Sequence, residues 1–332
     1  MNILWLRPHT GENVSVRRKR ISEHLEDMGV TVTLVDATGI NALSAIYEAI
    51  TGDYDVIVGN VRMGLYLGYP LSVVLRKPFV GDVTDPLSQI DHLPSLVFNL
   101  LKQYEWFVLS KANKSVFVTQ SCYNEAIKRE ITDSVQLPNA VNYEQFANPH
   151  KSVINQTKNI LRENKIDPED QIAVYHGSMV ARYHLAEIGE AAERLQNWEF
   201  VFIGKDRGAN INKIVSDRPN THFLGSFNHE LIPGFLSHSN LGLCLIDSEG
   251  PLKLKEFIAA GLPTLVIPKM KQWQNYDNLI YTEPNPDAIV DSITNFNTSP
   301  DINHEVSIDK DKIETWKNIS QQYYQIFKQL YK

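Results

Sequence analysis

Short apolar runs alternate with amphipathic stretches of helical period along the first part of the chain. The apolar runs predict six β-strands, at 2–6, 30–35, 55–58, 78–83, 115–119 and 135–137. The stretches between them predict helices at 16–28, 42–50, 64–75 and 93–112, where apolar residues recur every three or four positions. This strand–helix alternation is typical of an α/β unit in which a parallel sheet is covered by helices on both faces, as in a Rossmann-like domain.

A polar stretch at 142–170, rich in Asn and Lys, interrupts the pattern and is interpreted as a linker with a short helix. Further strands are then predicted at 172–176, 199–203, 221–224, 241–245 and 264–267, and helices at 181–195, 228–237, 252–260 and 309–331. A chain of 332 residues is long enough for two domains. We therefore expect Rossmann-like domains at 1–145 and 146–310, followed by a C-terminal helix at 311–332.

Composition and charge exclude several classes of protein. The net charge of −7 argues against a protein that coats nucleic acid. No apolar run approaches the ~20 residues that cross a bilayer, and the first ten residues do not resemble a signal peptide, so we expect a cytoplasmic protein. The two cysteines, Cys122 and Cys244, lack the paired spacing of a zinc or redox site.

The loops after the predicted strands are where an open parallel sheet binds its ligands. The first of these loops contains a single glycine, Gly11, whereas a dinucleotide-binding loop needs the pattern G-x-G-x-x-G. No P-loop motif occurs in the chain either. The sequence thus gives little support to hydride transfer or to P-loop phosphoryl transfer.

The segment 248–263, SEGPLKLKEFIAAGLP, is the most informative part of the sequence. A helix that begins near Pro251 would direct its free N–H groups, and the positive end of its dipole, to the strand ends, where a diphosphate could be held. Glu256 would follow about one and a half turns later, close enough to accept hydrogen bonds from a vicinal diol. An amphipathic surface helix with a capping proline explains the same pattern.

The same segment resembles the P-x-K-x-x-E-(F/Y)-x-A-x-G-x-P motif of retaining glycosyltransferases of the GT-B fold, family 4 in particular. Other landmarks of that family follow in the right order: PNAVN at 138–142, YHGS at 175–178, FVFIG at 200–204, THFLG at 221–225 and TWK at 315–317. The resemblance implies a GT-B fold, with two Rossmann-like domains facing a central cleft and a C-terminal helix that crosses back to the N-terminal domain.

Carried over by position, the resemblance implies a nucleotide-sugar site in which Glu256 binds the ribose hydroxyls and Gly11 lets the backbone approach the diphosphate. The residues implied at this site are Gly11, Gly177, Ser178, Glu249, Gly250, Pro251, Leu252 and Glu256. No metal and no separate cofactor are expected, since positive side chains and a helix end can neutralise the leaving diphosphate.

Two departures from the family pattern concern charge and spacing. Ser178 occupies the place where the family often has an arginine, so Arg182 and Lys253 become the candidates for the missing positive charge. Glu249 and Glu256 are seven positions apart, one fewer than is usual, and a tight turn at Gly250 would be needed to compensate.

The N-terminal domain is expected to bind the acceptor. Asp82 and Asp85 follow the fourth predicted strand and could hold sugar hydroxyls, or they could simply cap a turn before Pro86. The basic run Arg17, Arg18, Lys19 and Arg20 lies on the first helix. It is either a solvated face or a contact with anionic lipid headgroups at the cytoplasmic face of a membrane.

The function expected from this reasoning is sugar transfer from a UDP- or GDP-sugar to a glycan or lipid-linked acceptor, with retention of configuration. Another GT-B enzyme, such as a nucleotide-sugar epimerase or a phosphorylase, is the first alternative. A non-catalytic GT-B subunit is the second, and the missing arginine at Ser178 favours it.

Overall fold

The protein folds into two compact units, each with its own core. The computed structural model describes residues 1–8, 16–84, 93–273, 276–298 and 313–331. The first unit comprises Met1–Ala140 and Glu314–Lys332, and the second comprises Val141–Ile313. The second unit is therefore inserted between two parts of the first in the sequence.

The first unit is a parallel sheet with helical connections. Its strands are β1 (Asn2–Arg7), β2 (Thr31–Asp36), β3 (Val56–Asn60), β4 (Phe79–Val83), β5 (Lys114–Phe117) and β6 (Ser134–Gln136). Its helices are α1 (Val16–Asp27), α2 (Asn41–Thr51), α3 (Met63–Leu75), α4 (Ser95–Lys111), α5 (Gln120–Lys128) and, from the C-terminal part of the chain, α13 (Trp316–Leu330). The six predicted strands are confirmed, with ends that differ by a few residues.

The strand order β2-β1-β3-β4-β5-β6 determines which face each helix covers. The chain moves one way from β1 to β2, and the other way from β2 through β3, β4 and β5 to β6. Because crossovers between parallel strands are right-handed, α1 covers one face of the sheet, and α2, α3, α4 and α5 cover the other. Helix α13 packs along α1, so it lies on the α1 face. The expected return of the C-terminal helix to the first domain is confirmed.

The second unit repeats this architecture. Its strands are β7 (Ile172–His176), β8 (Glu199–Ile203), β9 (Thr221–Gly225), β10 (Leu241–Cys244), β11 (Thr264–Val266) and β12 (Leu279–Tyr281), in the parallel order β12-β11-β10-β7-β8-β9. Its helices are α6 (Tyr143–Ala147), α7 (Lys151–Glu163), α8 (Leu185–Ala192), α9 (Ile211–Val215), α10 (Ile232–Ser237), α11 (Leu252–Ala259) and α12 (Pro286–Thr298). The α/β class and the two Rossmann-like sheets agree with the prediction.

Two predicted elements of the second unit differ from the structure. The helix predicted at 181–195 is instead a 3-10 turn, Ala181–Tyr183, followed by α8, because His184 between them is in the left-handed region at φ 56°. The stretch at 142–170, predicted as a linker with a short helix, instead forms two helices, α6 and α7. They pack on α11 and α10 and belong to the second unit, so the linker part of the prediction is wrong. Within the described ranges, no helix is both long and apolar enough to span a membrane.

Candidate functional site

The turns after β7 and β8 pack so closely against each other that Gly177 and Gly204 leave little room for side chains. A Cβ on Gly204 would lie 1.9 Å from the carbonyl oxygen of Gly177, and both residues have positive φ, +143° and +110°. The Gly177 amide donates a hydrogen bond to the carbonyl oxygen of Ile203 at 2.8 Å. A Cβ on Gly177 would meet the side chain of Lys253 at 3.2 Å from Nζ. This turn therefore leaves room for the Lys253 side chain.

Helix α11 begins at Leu252, directly after Pro251, as the sequence predicts. No side chain caps its N-terminus, so backbone amides are the donors at this end. The helix is almost entirely buried and packs on β10 and β11, which fixes its direction relative to the sheet. Lys253 and Glu256 are three positions apart, so their side chains are neighbours on the helix surface.

Lys253 is a buried lysine with no carboxylate in salt-bridge contact among the described residues. Its Nζ lies 3.6 Å from the centroid of the Tyr175 ring and 5.6 Å from that of Tyr183, and it has no hydrogen-bond partner among the described residues. Burial lowers the pKa of Lys253 to about 7, against the opposing effect of nearby Glu256. A buried ammonium group held over an aromatic ring is well suited to receive an anionic ligand.

Glu256 is 2% exposed, forms a hydrogen bond with one histidine and lies near a second. His229 Nε2 is 2.6 Å from Oε1, in hydrogen-bond contact, and His176 Nε2 is 3.4 Å from Oε2. Burial alone would raise the pKa of Glu256, but the charge and hydrogen bond of His229, together with the charge of Lys253, outweigh it and keep that pKa below its usual value. Burial lowers the pKa of His176 to about 3, so this imidazole is neutral and its contact with Glu256 is not an ion pair.

Arg182 lies near the same aromatic ring as Lys253, that of Tyr183. It is exposed on the 3-10 turn, with its guanidinium carbon 5.5 Å from the centroid of the Tyr183 ring, the same ring that Lys253 approaches. Ser178 is also exposed, and its carbonyl oxygen accepts a hydrogen bond from the Tyr175 hydroxyl at 2.7 Å. The structure thus gathers Gly177, Ser178, Arg182, Lys253 and Glu256 around the ends of β7 and α11.

Two other residues predicted at the nucleotide-sugar site, Glu249 and Gly250, lie just before α11. Glu249 is exposed just before α11. Gly250 does not have a positive φ, and a Cβ there would meet Trp273 at 3.6 Å. Gly11 and Asp85 lie outside the described residues.

Sequence reasoning missed the partners of these groups. Tyr175 and His176 stood within the quoted YHGS segment, but nothing in the sequence showed that they contact Lys253 and Glu256. His229 is 27 positions from Glu256, and no short-range pattern connects the two. The one signal in the sequence that could have found these residues was their position near the end of a predicted strand.

In the first unit, Asp82 is fully buried at the end of β4. Its Oδ1 accepts a hydrogen bond from the Tyr323 hydroxyl at 2.9 Å, and its Oδ2 accepts one from Asn60 Nδ2 at 2.8 Å. Asp82 therefore ties β4 to β3 and to α13.

The four basic residues of α1, Arg17 to Arg20, differ in burial: the first two are buried, and the other two are at least partly exposed. Arg17 is buried and donates to the carbonyl oxygens of Leu137 and Pro138, at 2.9 and 2.8 Å, and to the Tyr323 hydroxyl at 3.1 Å. Arg18 is buried and donates to Asn60 Oδ1.

Lys19 is exposed and Arg20 is partly buried, and both pair with Glu23. The expectation of four cations that face solvent or a membrane is wrong for Arg17 and Arg18. Their charges are used inside the first unit.

Comparison with known proteins bears on the fold. No family model and no curated protein sequence matches the chain. Among solved structures, sucrose-phosphate synthase from Thermosynechococcus elongatus is similar, with a TM-score of 0.78 and 15% identity over 99% of this chain and 98% of that one. HepE from Anabaena, in complex with UDP and glucose, gives a TM-score of 0.75 and 14% identity over 98% and 99% of the two chains.

A third similar structure is a Listeria monocytogenes protein assigned as a UDP-N-acetylglucosamine 2-epimerase. Its TM-score is 0.63, with 9% identity over 97% of this chain and 94% of that one. These similarities extend over nearly the whole length of each chain. The protein therefore has the two-domain GT-B fold that the resemblance implied.

Proposed function

We propose that the protein is a cytoplasmic glycosyltransferase that moves a sugar from a UDP- or GDP-sugar to a glycan or lipid-linked acceptor, with retention of configuration. The observation that carries the proposal is that one helix holds a buried lysine whose Nζ has no hydrogen-bond partner among the described residues, Lys253, and a buried carboxylate, Glu256. A nucleoside diphosphate has both complementary groups, an anionic diphosphate and a ribose diol. A crystal structure of the similar HepE contains UDP and glucose.

In this proposal the diphosphate lies at the N-terminus of α11. Lys253 and the amides that follow Pro251 neutralise it, and Arg182, next to Tyr183, adds a second positive charge. Glu256 accepts hydrogen bonds from the ribose hydroxyls, replacing its present hydrogen bond with His229. These groups provide the stabilisation that a metal ion would otherwise give to the leaving group.

The proposed reaction breaks the bond between the sugar C1 and the diphosphate oxygen and forms a bond from C1 to the acceptor oxygen on the same face. Charge develops on the departing diphosphate as an oxocarbenium-like sugar forms, so Lys253 and Arg182 act most strongly in the transition state. The acceptor proton passes to the departing phosphate oxygen. Glu249 is proposed at the sugar and Gly11 at the diphosphate.

The first unit is proposed to bind the acceptor. Because Asp82 is fully buried and already accepts two hydrogen bonds, we assign it to positioning β4 and α13. Asp85 is the carboxylate proposed to contact acceptor hydroxyls.

Binding of UDP and of GDP to the Glu256→Ala variant, measured by calorimetry, tests the donor site. Loss of two charge-assisted hydrogen bonds, at ~1.5–3 kcal/mol each, predicts at least a hundredfold weaker binding. Glu199→Ala is the matched control, because Glu199 also accepts a hydrogen bond from a histidine, His222, at 2.6 Å. Equal dissociation constants for wild type and Glu256→Ala would remove Glu256 from the site.

The second candidate function is nucleotide-sugar epimerisation, which the similarity to the Listeria monocytogenes protein favours. Incubation with UDP-N-acetylglucosamine alone distinguishes the two. An epimerised or eliminated product without any acceptor supports this second candidate. A protein that binds neither UDP, GDP nor their sugars would be a non-catalytic GT-B subunit.

A further inference from the structure

A groove in the first unit is lined mainly by uncharged polar side chains. It has a volume of about 830 Å³ and lies between one side of α13 and the first residues of β5 and β6. Five amide side chains of α13 line it: Asn318, Gln321, Gln322, Gln325 and Gln329. We call this groove the amide groove.

The five amides share one side of α13. Along the sequence they are separated by three, one, three and four positions, and such intervals place side chains along one side of a helix. The other side of α13 is buried, through Trp316, Tyr323 and Phe327 among others. All five amides are exposed, and their side chains form no hydrogen bond within the part of the chain that the structure describes. Their donors and acceptors are therefore available to a ligand.

The charge of the amide groove restricts what it can bind. Its described lining residues include no carboxylate and one cation, Lys114, in a chain that has 39 acidic residues and a net charge of −7. Hard metal ions need carboxylate ligands, and a nucleic acid needs several basic side chains. The ligand that fits this lining is polar and uncharged.

The groove also lacks the apolar anchors of a protein interface. Its three aliphatic lining residues are half-buried or buried: Met28, Val135 and Ile326. Protein interfaces have an apolar core in which a few large anchors carry most of the affinity. A protein partner or a second copy of the chain therefore fits this groove poorly.

Amide side chains complement the hydroxyl groups of sugars. Each amide has two N–H donors and a carbonyl acceptor, and each hydroxyl both donates and accepts. A row of amides along a helix can thus bind successive hydroxyls of an oligosaccharide. Ser134 adds a hydroxyl from β6, and half-buried Tyr324 supplies an aromatic ring against which the C–H face of a sugar ring can lie.

We propose that the amide groove binds the uncharged oligosaccharide part of the acceptor, at a distance from the reacting sugar. Lys114 and Ser134 begin β5 and β6, so the groove lies at the amino ends of these strands, whereas open sheets bind their reacting ligands at the carboxyl ends. Four residues of β5 at a rise of ~3.3 Å put the two edges on the order of 10 Å apart. An acceptor of several sugar units is needed to contact both edges.

The inference rests on the proposed function for the role of the oligosaccharide as acceptor, but the binding itself requires no sugar transfer. Calorimetry with linear hexasaccharides of glucose, galactose, mannose and N-acetylglucosamine therefore tests it, with the monosaccharides for comparison. Wild type is expected to bind a hexasaccharide about tenfold or more tightly than its monosaccharide, and equally at low and high NaCl, because no charge takes part. Absence of binding to every hexasaccharide overturns the proposal.

Two variants locate the binding. Gln321→Ala combined with Gln325→Ala should weaken hexasaccharide binding about tenfold or more, because the hydrogen bonds of two amides are lost. Gln103→Ala combined with Gln156→Ala is the matched control, since these exposed amides lie on α4 and α7 outside the groove, and it should bind as wild type does. Alanine favours a helix, and circular dichroism establishes that both variants are folded. Equal binding by the Gln321/Gln325 variant overturns the proposal.

Nucleotide binding and kinetics separate this inference from the proposed function. The Gln321/Gln325 variant should bind UDP or GDP as wild type does, and should have a higher KM for a long acceptor with an unchanged kcat. A wild type that binds a nucleotide but no hexasaccharide contradicts the inference alone. A wild type that binds a hexasaccharide but neither UDP nor GDP contradicts the proposed function and supports the groove as an oligosaccharide site.

Light scattering after size exclusion tests the alternative occupant. A wild-type oligomer that the Gln321/Gln325 variant dissociates would make the amide groove an interface between copies of the chain and would overturn the proposal. A hexasaccharide that binds without a change in oligomeric state supports it.

Discussion

Lys253 is the residue whose replacement should separate stability from binding most clearly. Its pKa falls from an ordinary 10.5 to about 7, which corresponds to about 5 kcal/mol of unfavourable free energy for the ammonium form in the folded protein. Between pH 7 and 10.5 the unfolded chain holds one more proton than the folded chain at this residue, so the stability rises with pH across that window. Below about pH 7 the full penalty is present.

The Lys253→Met variant removes this penalty while keeping a side chain of similar length over Tyr175. We expect its free energy of unfolding at pH 7 to be higher than that of wild type, by up to about 5 kcal/mol, because a buried charge whose desolvation is only partly offset is lost. Its affinity for UDP, or for GDP if that nucleotide is the ligand, should fall at least tenfold, since a charge-assisted hydrogen bond contributes ~1.5–3 kcal/mol. Urea denaturation and calorimetry measure the two effects.

Proton uptake is the more specific readout. At pH 8 the free protein holds Lys253 mostly neutral, and a bound diphosphate would restore its proton, so binding should take up nearly one proton. The binding enthalpy should therefore differ between HEPES and Tris buffers by the difference in their ionisation enthalpies. Lys255→Met, on the same helix with its Nζ 5.6 Å from the Trp273 ring centroid, is the control that should retain this uptake. A wild-type enthalpy independent of buffer, or an unchanged affinity in Lys253→Met, would refute the reasoning.

Three further predictions concern the same regions. Gly204→Ala should destabilise the protein by more than 2 kcal/mol in urea denaturation, because its Cβ would lie 1.9 Å from the Gly177 carbonyl oxygen. Gly225→Ala, whose Cβ would have no atom within 4 Å, should cost only the ~1–2 kcal/mol of its positive φ. Equal losses of stability in the two variants would contradict this reasoning. Tyr323→Phe should lower the unfolding free energy by about 1–3 kcal/mol, since Asp82 Oδ1 loses its donor, and Tyr324→Phe should change it by less than ~0.5 kcal/mol. Arg182→Ala should reduce the single-turnover rate of sugar transfer more than it reduces donor affinity, and an unchanged rate would place the diphosphate away from Arg182.

Most of the fold could be predicted because its signals are local. The inner strands are continuous apolar runs, as strands buried on both faces require, and Gly29 ends α1 at φ +79° as a helix-terminating glycine does. The helix predicted at 181–195 failed at His184, because a left-handed histidine carries no sequence signal comparable to glycine. Short elements such as β12 and α9 contain too few residues to show a period.

Of the candidate site, only the part that lies on a single helix could be predicted from the sequence. Lys253 and Glu256 share α11, so their spacing and the preceding proline were sufficient to place them together. His229 joins them only through the sheet topology, from 27 positions away. The basic run of α1 was misread for the same reason: Arg17 binds groups 120 and 306 positions away, and a charged residue with such distant partners looks like a surface residue in the sequence.

The division of the first unit into Met1–Ala140 and Glu314–Lys332 has a consequence for biosynthesis. A ribosome adds about 5–20 residues per second, so roughly 10–40 s pass between synthesis of Ala140 and of the last residues of α13. During that time Asp82 and Arg17 lack Tyr323, while the contiguous second unit, Val141–Ile313, is completed. The second unit is therefore complete in the nascent chain before the first unit, whose α1 side gains its contacts with α13 only when the last residues of that helix have been made.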